Sequence, residues 1–312
     1  MSGIVIGTRG SPLAMWQANH IRDAIVRRCP DQSVELKVIK TSGDQALLGP
    51  GRAALDKGMF TTEIENELLA GTISLAVHSL KDLPTDIPEG LSVTAITVRE
   101  DPADAIIAKS ALPLADLPAG AIVLTGSLRR RGQLLHCRPD LSVQPVRGNV
   151  QTRLRKLDES DAEAIVLARA GLVRADLDDR ITQRLDPDEF LPACGQGALA
   201  LEICCDNSPV QELLAPLDDM PTRLAVTAER AFLAALGGGC QVPVGAYARF
   251  SGGPDALTLT GMVSSLDGVT LLRATVAAPV ATPAAAEALG QTLCEQLRDQ
   301  GCEEILASIT ES

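Results

Sequence analysis

Short apolar runs recur along the chain at Ile4–Ile6, Val34–Ile39, Ile73–Val77, Leu91–Val98, Ile122–Leu124, Val143–Val146 and Ile165–Ala168. Each has the length of a buried strand, and several are followed by apolar residues at helical spacing. The alternation predicts an α/β architecture. The first helix should start at Ser11-Pro12, a capping serine before a proline that is preset for the first turn, and place Leu13, Trp16, Ile21 and Ile25 near one face. A second should run near Phe60, Ile64 and Leu68, whose i, i+4, i+8 spacing makes one apolar stripe facing a sheet. Between them, Gly43 to Gly58 holds Gly49-Pro50-Gly51 and four charged residues, and reads as a mobile lid or a disordered insertion. The last part changes character: a helix around Thr222–Leu236, strands at Val242–Arg249, Leu257–Val263 and Val269–Val276, and a helix from Pro283 to Arg298. Asp267-Gly268 marks a hairpin between two of these strands, which makes this region a small α+β domain. No internal repeat is visible, and Ala277–Ala288 reads as a linker and helix start.

A chain of 312 residues is long enough for two or three domains. With 46% hydrophobic and 22% charged residues it has a globular composition, which excludes disorder as its main state. The 28 Lys and Arg against 40 Asp and Glu give −12, which opposes binding to nucleic acid or an anionic membrane. One Trp, one Tyr and four Phe are too few for base-stacking platforms. The start, Met-Ser-Gly-Ile-Val-Ile-Gly, has neither the cationic nor the apolar run of a signal peptide, so the expected location is the cytoplasm. The eight cysteines, at 29, 137, 194, 204, 205, 240, 294 and 302, lack paired CxxC spacing and are expected as free thiols. His20, His78 and His136 are scattered, so no metal site is expected.

Polar and cationic residues collect where strands pass into helix starts: Gly7-Thr8-Arg9-Gly10-Ser11, His78-Ser79-Leu80-Lys81-Asp82, Thr125-Gly126-Ser127-Leu128-Arg129-Arg130 and Arg147-Gly148-Asn149. Strand carboxyl ends and helix N-termini favour anions, so four such junctions predict an anion site. Residues 127–156 hold seven Arg and Lys156 against Asp140 alone, a local +7 in an acidic chain. Arginine forks suit a ligand with several carboxylates or phosphates. The blander reading is a solvated helix face, since Arg153 and Arg155 cannot share a face and some members must point outward. Asp82 would be a lone carboxylate among these cations, either a salt-bridge partner or a stabiliser of positive charge in a substrate; pattern alone favours the salt bridge. Gly237-Gly238-Gly239 opens the backbone around Cys240, which suits a thiol carrying a bulky adduct, although on spacing alone a buried cysteine after a glycine-rich helix end leads. Leu191 to Gly197 reads as a turn into a strand, or a hinge.

Taken together, Thr8-Arg-Gly-Ser-Pro-Leu-Ala-Met-Trp-Gln-Ala18, Val77-His-Ser-Leu-Lys-Asp-Leu-Pro84, Gly126-Ser-Leu-Arg-Arg130, Arg147-Gly-Asn149 with Thr152-Arg153, Leu191-Pro-Ala-Cys-Gly-Gln-Gly197 and Gly238-Gly-Cys-Gln-Val-Pro243 resemble the porphobilinogen deaminase family, also called hydroxymethylbilane synthases. The resemblance runs from Gly7 to about Leu306 and is weakest over residues 251–300 and in the expected lid. It implies two lobes like those of periplasmic binding proteins and a third, smaller α+β domain: residues 1–97 plus 198–217, residues 98–197, and residues 218–312. Chain crossovers are expected near Val98–Asp101 and Gln196–Ala200. By the same resemblance Cys240 carries a dipyrromethane cofactor through a thioether and Asp82 is the catalytic aspartate. Arg9, Ser11, Gln17, Lys57, Ser79, Lys81, Thr125, Ser127, Arg129, Arg130, Arg147, Arg153 and Arg174 hold carboxylates of cofactor and growing chain, and Phe60 packs over a substrate pyrrole. The implied activity is that of a transferase joining four porphobilinogen molecules head to tail, with loss of ammonia, into hydroxymethylbilane for tetrapyrrole (haem) biosynthesis. The implied protein is a monomer with a transient handover to uroporphyrinogen-III synthase. Three departures stand out: Gly126 occupies a position where serine is frequent, Arg52 and Lys57 sit in an unusual lid sequence, and Cys194 replaces an aliphatic residue, where it is expected simply to pack. The competing class is a non-catalytic cytosolic oligocarboxylate-binding protein of the periplasmic-receptor type, for which a third domain with Cys240 has no use. Thiol-dependent acyl transfer would need a histidine base near Cys240, and none is close in sequence.

Overall fold

A computed structural model describes residues 3–46, 58–238, 242–251 and 256–310. The chain divides into two compact units, residues 1–100 with 197–223 and residues 101–196 with 224–312. It therefore passes between units at 100/101, 196/197 and 223/224, the first two within the expected crossovers.

The first unit is built on strands β1 (Ile4–Thr8), β2 (Val34–Val38), β3 (Leu75–Ser79), β4 (Leu91–Ile96) and the later β10 (Leu199–Cys204). Their order is β2-β1-β3-β10-β4, with β1, β2 and β3 parallel and β10 antiparallel to both neighbours. Helix α1 (Pro12–Arg28) starts as the sequence predicts: the Ser11 hydroxyl accepts the Ala14 N–H, and proline sits in the first turn. Its Ala18, Ile21 and Ile25 close one face of the sheet over Ile4, Ile6, Leu75, Leu199 and Leu201. Helix α3 (Thr62–Leu69) covers the other face through Ile64 and Leu68 against Ile39, Ile73, Ala76 and Leu91. Phe60 lies in the turn ahead of α3 and not on its stripe. The segment read as a lid begins with a short helix, α2 (Ser42–Ala46); residues 47–57, with Arg52 and Lys57, lie outside the described residues. Helix α7 (Ser208–Leu214) completes the unit with Val210 and Leu214 in its core.

In the second unit, β5 (Asp104–Ala108), β6 (Ile122–Leu124), β7 (Ser142–Gln144), β8 (Ala164–Ala168) and β9 (Gln183–Arg184) have the order β7-β6-β8-β5-β9. β6, β7 and β8 are parallel, and β5 is antiparallel to both neighbours. This is the plan of the first sheet, a repeat of topology that leaves no visible repeat in sequence. Helices α4 (Leu128–Cys137), α5 (Val150–Glu159) and α6 (Arg169–Val173) follow β6, β7 and β8.

The C-terminal region forms a three-stranded antiparallel meander, β11 (Val244–Phe250), β12 (Ala256–Ser264) and β13 (Leu271–Pro279). It packs on α8 (Met220–Ala235), α9 (Pro283–Asp299) and α10 (Cys302–Thr310), around Phe232, Leu259, Leu293 and Leu297. Helix α10 lies beyond the last helix that the periodicity predicts, Pro283 to Arg298. The meander has its own core, yet it belongs to the same compact unit as the second sheet. Glu229 of α8 explains part of this, accepting the N–H groups of Gly195 (2.7 Å) and Ala248 (2.8 Å) with its two carboxylate oxygens. Arg131 of α4 also donates to the Leu266 carbonyl at 2.9 Å. Cys194 packs in the C-terminal core, as expected. Among the described residues no helix is long and apolar enough to cross a membrane, and no group of acidic, histidine or cysteine residues could hold a metal ion.

Candidate active site

Parallel pairing of β1 with β3 puts the ends of both strands side by side, so the loops after Thr8 and after Ser79 are neighbours. Thr8 donates its hydroxyl to the Ala14 carbonyl (3.1 Å), tying the first loop to α1. One turn further, buried Gln17 donates to the Ser79 hydroxyl at 2.7 Å. After Ser79 the chain makes a tight helical turn, Leu80–Asp82, anchored by buried Leu80, whose N–H bonds to the Ala198 carbonyl at 3.0 Å, and by buried Leu83. Lys81 is half-buried and Asp82 exposed. The turn thus carries Asp82 at the surface on an apolar footing.

Arg9 is not free to roam. Its Nε lies 3.1 and 3.3 Å from the two oxygens of Asp44, its Nη2 bonds to Asp44 Oδ1 as well, and its guanidinium carbon stacks 4.2 Å from the Phe60 ring centroid. The Asp44 carboxyl is held below its usual range: partial burial pushes it up, but the bond to Arg9 and the Arg9 charge outweigh that. Asp44 carried no signal in the sequence beyond being one acid in a glycine-rich stretch.

Beneath this surface, His78 Nε2 lies 3.0 Å from Glu202 Oε2, both buried, with Glu65 nearby. Burial pushes the Glu65 carboxyl up, against the Thr61 hydrogen bond, and the Glu202 charge adds to the rise.

In the second unit, Thr125 follows β6 and its hydroxyl accepts the Ser127 N–H (3.2 Å), while Ser127 caps α4 by accepting the Arg130 N–H (3.4 Å). Arg129 and Arg130 then turn inward. They are 3% and 5% exposed and clamp the fully buried Asp104, Arg129 Nη1 to Oδ2 and Arg130 Nη2 to Oδ1, each at 2.7 Å. Gln196 adds a third donor to Asp104 at 2.8 Å. Burial alone would raise the Asp104 carboxyl, but the charges and hydrogen bonds of the two arginines hold it far below the usual carboxylate range. The trio carries +1, less than the local charge count suggested. Further members of the cationic run are also committed within the fold. Arg131 donates to the Val143 carbonyl in addition to Leu266, and Arg138 pairs with Asp140 and donates to the carbonyls of Leu114, Ala115 and Leu117. Lys156 donates to the Arg147 carbonyl. Arg147 is exposed at the end of its loop. Arg153 is half-buried, with Nε on the Gly148 carbonyl (2.7 Å), and Arg174 is buried at the end of α6. Gly126 has a steric reason: a Cβ there would sit 2.7 Å from the Val146 carbonyl, so a serine would require the backbone to move.

The first unit thus gathers Arg9, Ser11, Gln17, Phe60, Ser79, Lys81 and Asp82 around the ends of β1 and β3, and the second gathers Thr125, Ser127, Arg129, Arg130, Arg147 and Arg153 around the ends of β6 and β7. Cys240 and Lys57 lie outside the described residues.

A family model described as porphobilinogen deaminase, dipyromethane cofactor binding domain, matches residues 4–212, and one for the C-terminal domain of porphobilinogen deaminase matches residues 223–299. The chain belongs to the porphobilinogen deaminase family. Curated relatives of that name include one from Chlorobaculum parvum, 48% identical over 98% of this chain and 97% of the relative. Another, from Desulforudis audaxviator, is 51% identical over the same shares. Solved structures with weaker likeness include the methionine-binding protein MetQ (13% identity, TM-score 0.44, 75% of this chain and 94% of that one). The VFT2 domain of Bordetella pertussis BvgS is similar at 16% identity and TM-score 0.40, over 68% of this chain and 84% of that one.

Proposed function

We propose that the chain is a transferase that joins four porphobilinogen molecules head to tail, with loss of ammonia, to give hydroxymethylbilane for tetrapyrrole biosynthesis. Family membership supports the reaction, and the observation that carries the assignment of roles is Asp82, an exposed carboxylate on a turn whose apolar footing fixes its place beside Lys81.

Porphobilinogen reacts through a cation: the aminomethyl C–N bond breaks, the nitrogen leaves with the electron pair as ammonia, and the methylene-pyrrole keeps a positive charge shared with its N–H. Asp82 accepts a hydrogen bond from that N–H and offsets the charge, a preorganised electrostatic role that water fills poorly. After the new C–C bond forms, the attacked α-carbon loses its proton, and the same carboxylate can hold it. Lys81 and Arg9 bind the two carboxylates that each pyrrole brings, and Phe60 packs against a pyrrole face.

The second-unit residues fit a polycarboxylate. Thr125 and Ser127 supply hydroxyls, Arg147 is exposed in the loop between β7 and α5, and the Nε of Arg130 is buried with no hydrogen-bond partner among the described residues. These groups, with Arg129, Arg153 and Arg174, would hold a dipyrromethane attached to Cys240. When bound, that group supplies the free pyrrole α-carbon from which the chain grows. In this reading the enzyme is a cytoplasmic monomer that hands its product to uroporphyrinogen-III synthase.

Intact-protein mass spectrometry of wild type and Cys240→Ser tests the assignment. The expected result is an excess of two pyrrole units on wild type only, together with porphobilinogen turnover. A wild-type chain that stays unmodified and inactive after incubation with porphobilinogen and with preformed tetrapyrrole overturns it.

A further inference from the structure

A guanidinium has two edges on which a carboxylate can form paired hydrogen bonds: the side edge, Nε with Nη2, and the end edge, Nη1 with Nη2. In Arg9 the side edge is taken by Asp44 and one face is covered by Phe60. Nη1 bonds to nothing among the described residues, so the end edge is the one left to a ligand. Asp44 is itself held. Its Oδ2 accepts the hydroxyl of Thr41 at 2.9 Å, its N–H donates to Thr41 Oγ1 and to the Thr41 carbonyl, and Thr41 is fully buried. Phe60 reaches Arg9 only because residue 43 is glycine: a Cβ there would stand 2.3 Å from a ring carbon, and the Gly43 N–H also bonds to the Met59 carbonyl at 2.9 Å. A buried threonine thus orients a carboxylate, which orients an arginine, against a ring that a glycine admits.

We propose that Asp44 is a positioning residue that fixes Arg9 so that its end edge receives one carboxylate of porphobilinogen. The proposal rests on the reading that Arg9 binds a substrate carboxylate. A long side chain released from such a clamp must be immobilised again each time substrate binds. The opposite role, an internal carboxylate competing with substrate for Arg9, uses the same contact and has the opposite sign.

The test is steady-state turnover of porphobilinogen by the holoenzyme for Asp44→Asn, Thr41→Val and Arg9→Ala, with cofactor content measured by mass and folding by circular dichroism. Loss of positioning raises KM for Asp44→Asn by about two- to twelvefold, the cost of fixing one rotamer-rich side chain, with kcat changed less. Thr41→Val moves KM the same way by a smaller factor, and keeps the question open to test if Asp44→Asn holds less cofactor. Direct binding of porphobilinogen by the Asp82→Asn holoenzyme, with and without Asp44→Asn, gives the same comparison without turnover. An unchanged or lowered KM in Asp44→Asn, with Arg9→Ala raised, overturns the positioning role alone. An unchanged KM in Arg9→Ala overturns the carboxylate role of Arg9 itself, and the proposal with it.

Discussion

Arg129→Ala and Arg147→Ala look alike in the sequence, since both remove a cation from the same run, but the structure separates them. Arg129 is 3% exposed and pairs with an Asp104 that has no exposure at all, while Arg147 is exposed. Removing one partner of a buried ion pair typically costs about 3–5 kcal/mol, because the remaining charge stays buried without compensation. Arg130 and Gln196 still bond to Asp104, which places Arg129→Ala near the lower end, about 3 kcal/mol. For a unit of the size that holds Arg129, residues 101–196 with 224–312, that is a fall in melting temperature of roughly 6–12 °C. Arg147→Ala should stay within about 0.5 kcal/mol of the parent, as exposed substitutions do. Both should be made in a Cys240→Ser background, where no covalent group can stabilise the fold, and followed by calorimetry and urea denaturation. If Arg129→Ala melts with Arg147→Ala and the parent, Asp104 does not depend on Arg129, and the inward-facing trio has been misread.

The remaining expectations concern pH and chemistry. Because the folded-state pKa of Asp104 is depressed, its stabilisation is fully present above the unfolded value of about 3.9 and is lost only as pH falls below that value. The urea midpoint of Asp104→Asn should therefore lie below the parent's by a constant margin from pH 7 to 5 and approach it in stronger acid; a margin that grows on acidification contradicts this. The pKa of Glu65 is raised, so its ionisation costs stability as pH climbs past the unfolded value of about 4.3, and Glu65→Gln should gain on the parent in thermal melts as pH rises from that value. A relative loss over that rise would refute the sign. Asp82→Asn should keep its fold and its Cys240 adduct while losing on the order of 10² to 10³ in rate, read as porphyrin formed from released hydroxymethylbilane. Near-normal turnover at matched cofactor content would return Asp82 to a salt-bridge role.

Much of the architecture was readable wherever one local rule sufficed. Ser11-Pro12 announces a helix start by itself, and Asp267-Gly268 a hairpin. Three strands have no counterpart among the apolar runs, β5, the two-residue β9 and β10, although a strand after the Leu191–Gly197 turn is one of the readings; β5 opens on Asp104 and β10 contains Glu202, buried acids next to or within an apolar stretch. Their compensation comes from Arg129 and Arg130, 25 and 26 residues away, and from His78, 124 residues away, a range at which no local pattern operates. The site was legible as motifs at strand ends and opaque as directions. Nothing in the run Arg129-Arg130-Arg131 says that the first two point at an internal carboxylate and the third at the C-terminal hairpin. Likewise Asp44 acquires meaning only when α2 brings it onto Arg9.

The shared plan of the two five-stranded sheets sets a timetable for the ribosome. In the first sheet β4 pairs only with β10, and β10 is made only after the whole second sheet has been translated. From Ile96 at the end of β4 to Cys204 at the end of β10 the chain adds 204 − 96 = 108 residues, which at about 5–20 residues per second takes roughly 5–20 s. Throughout that interval β3 presents one unpaired edge and β4 two, in a nascent chain whose apolar strands are the kind that join to strangers. In the second sheet the wait is shorter: β5 pairs with β8 and β9, and from Ala108 to Ala168 the chain adds 168 − 108 = 60 residues. The first sheet therefore begins before the second and is completed after it, and while synthesis proceeds its β3 and β4 are the edges a chaperone has longest to shield.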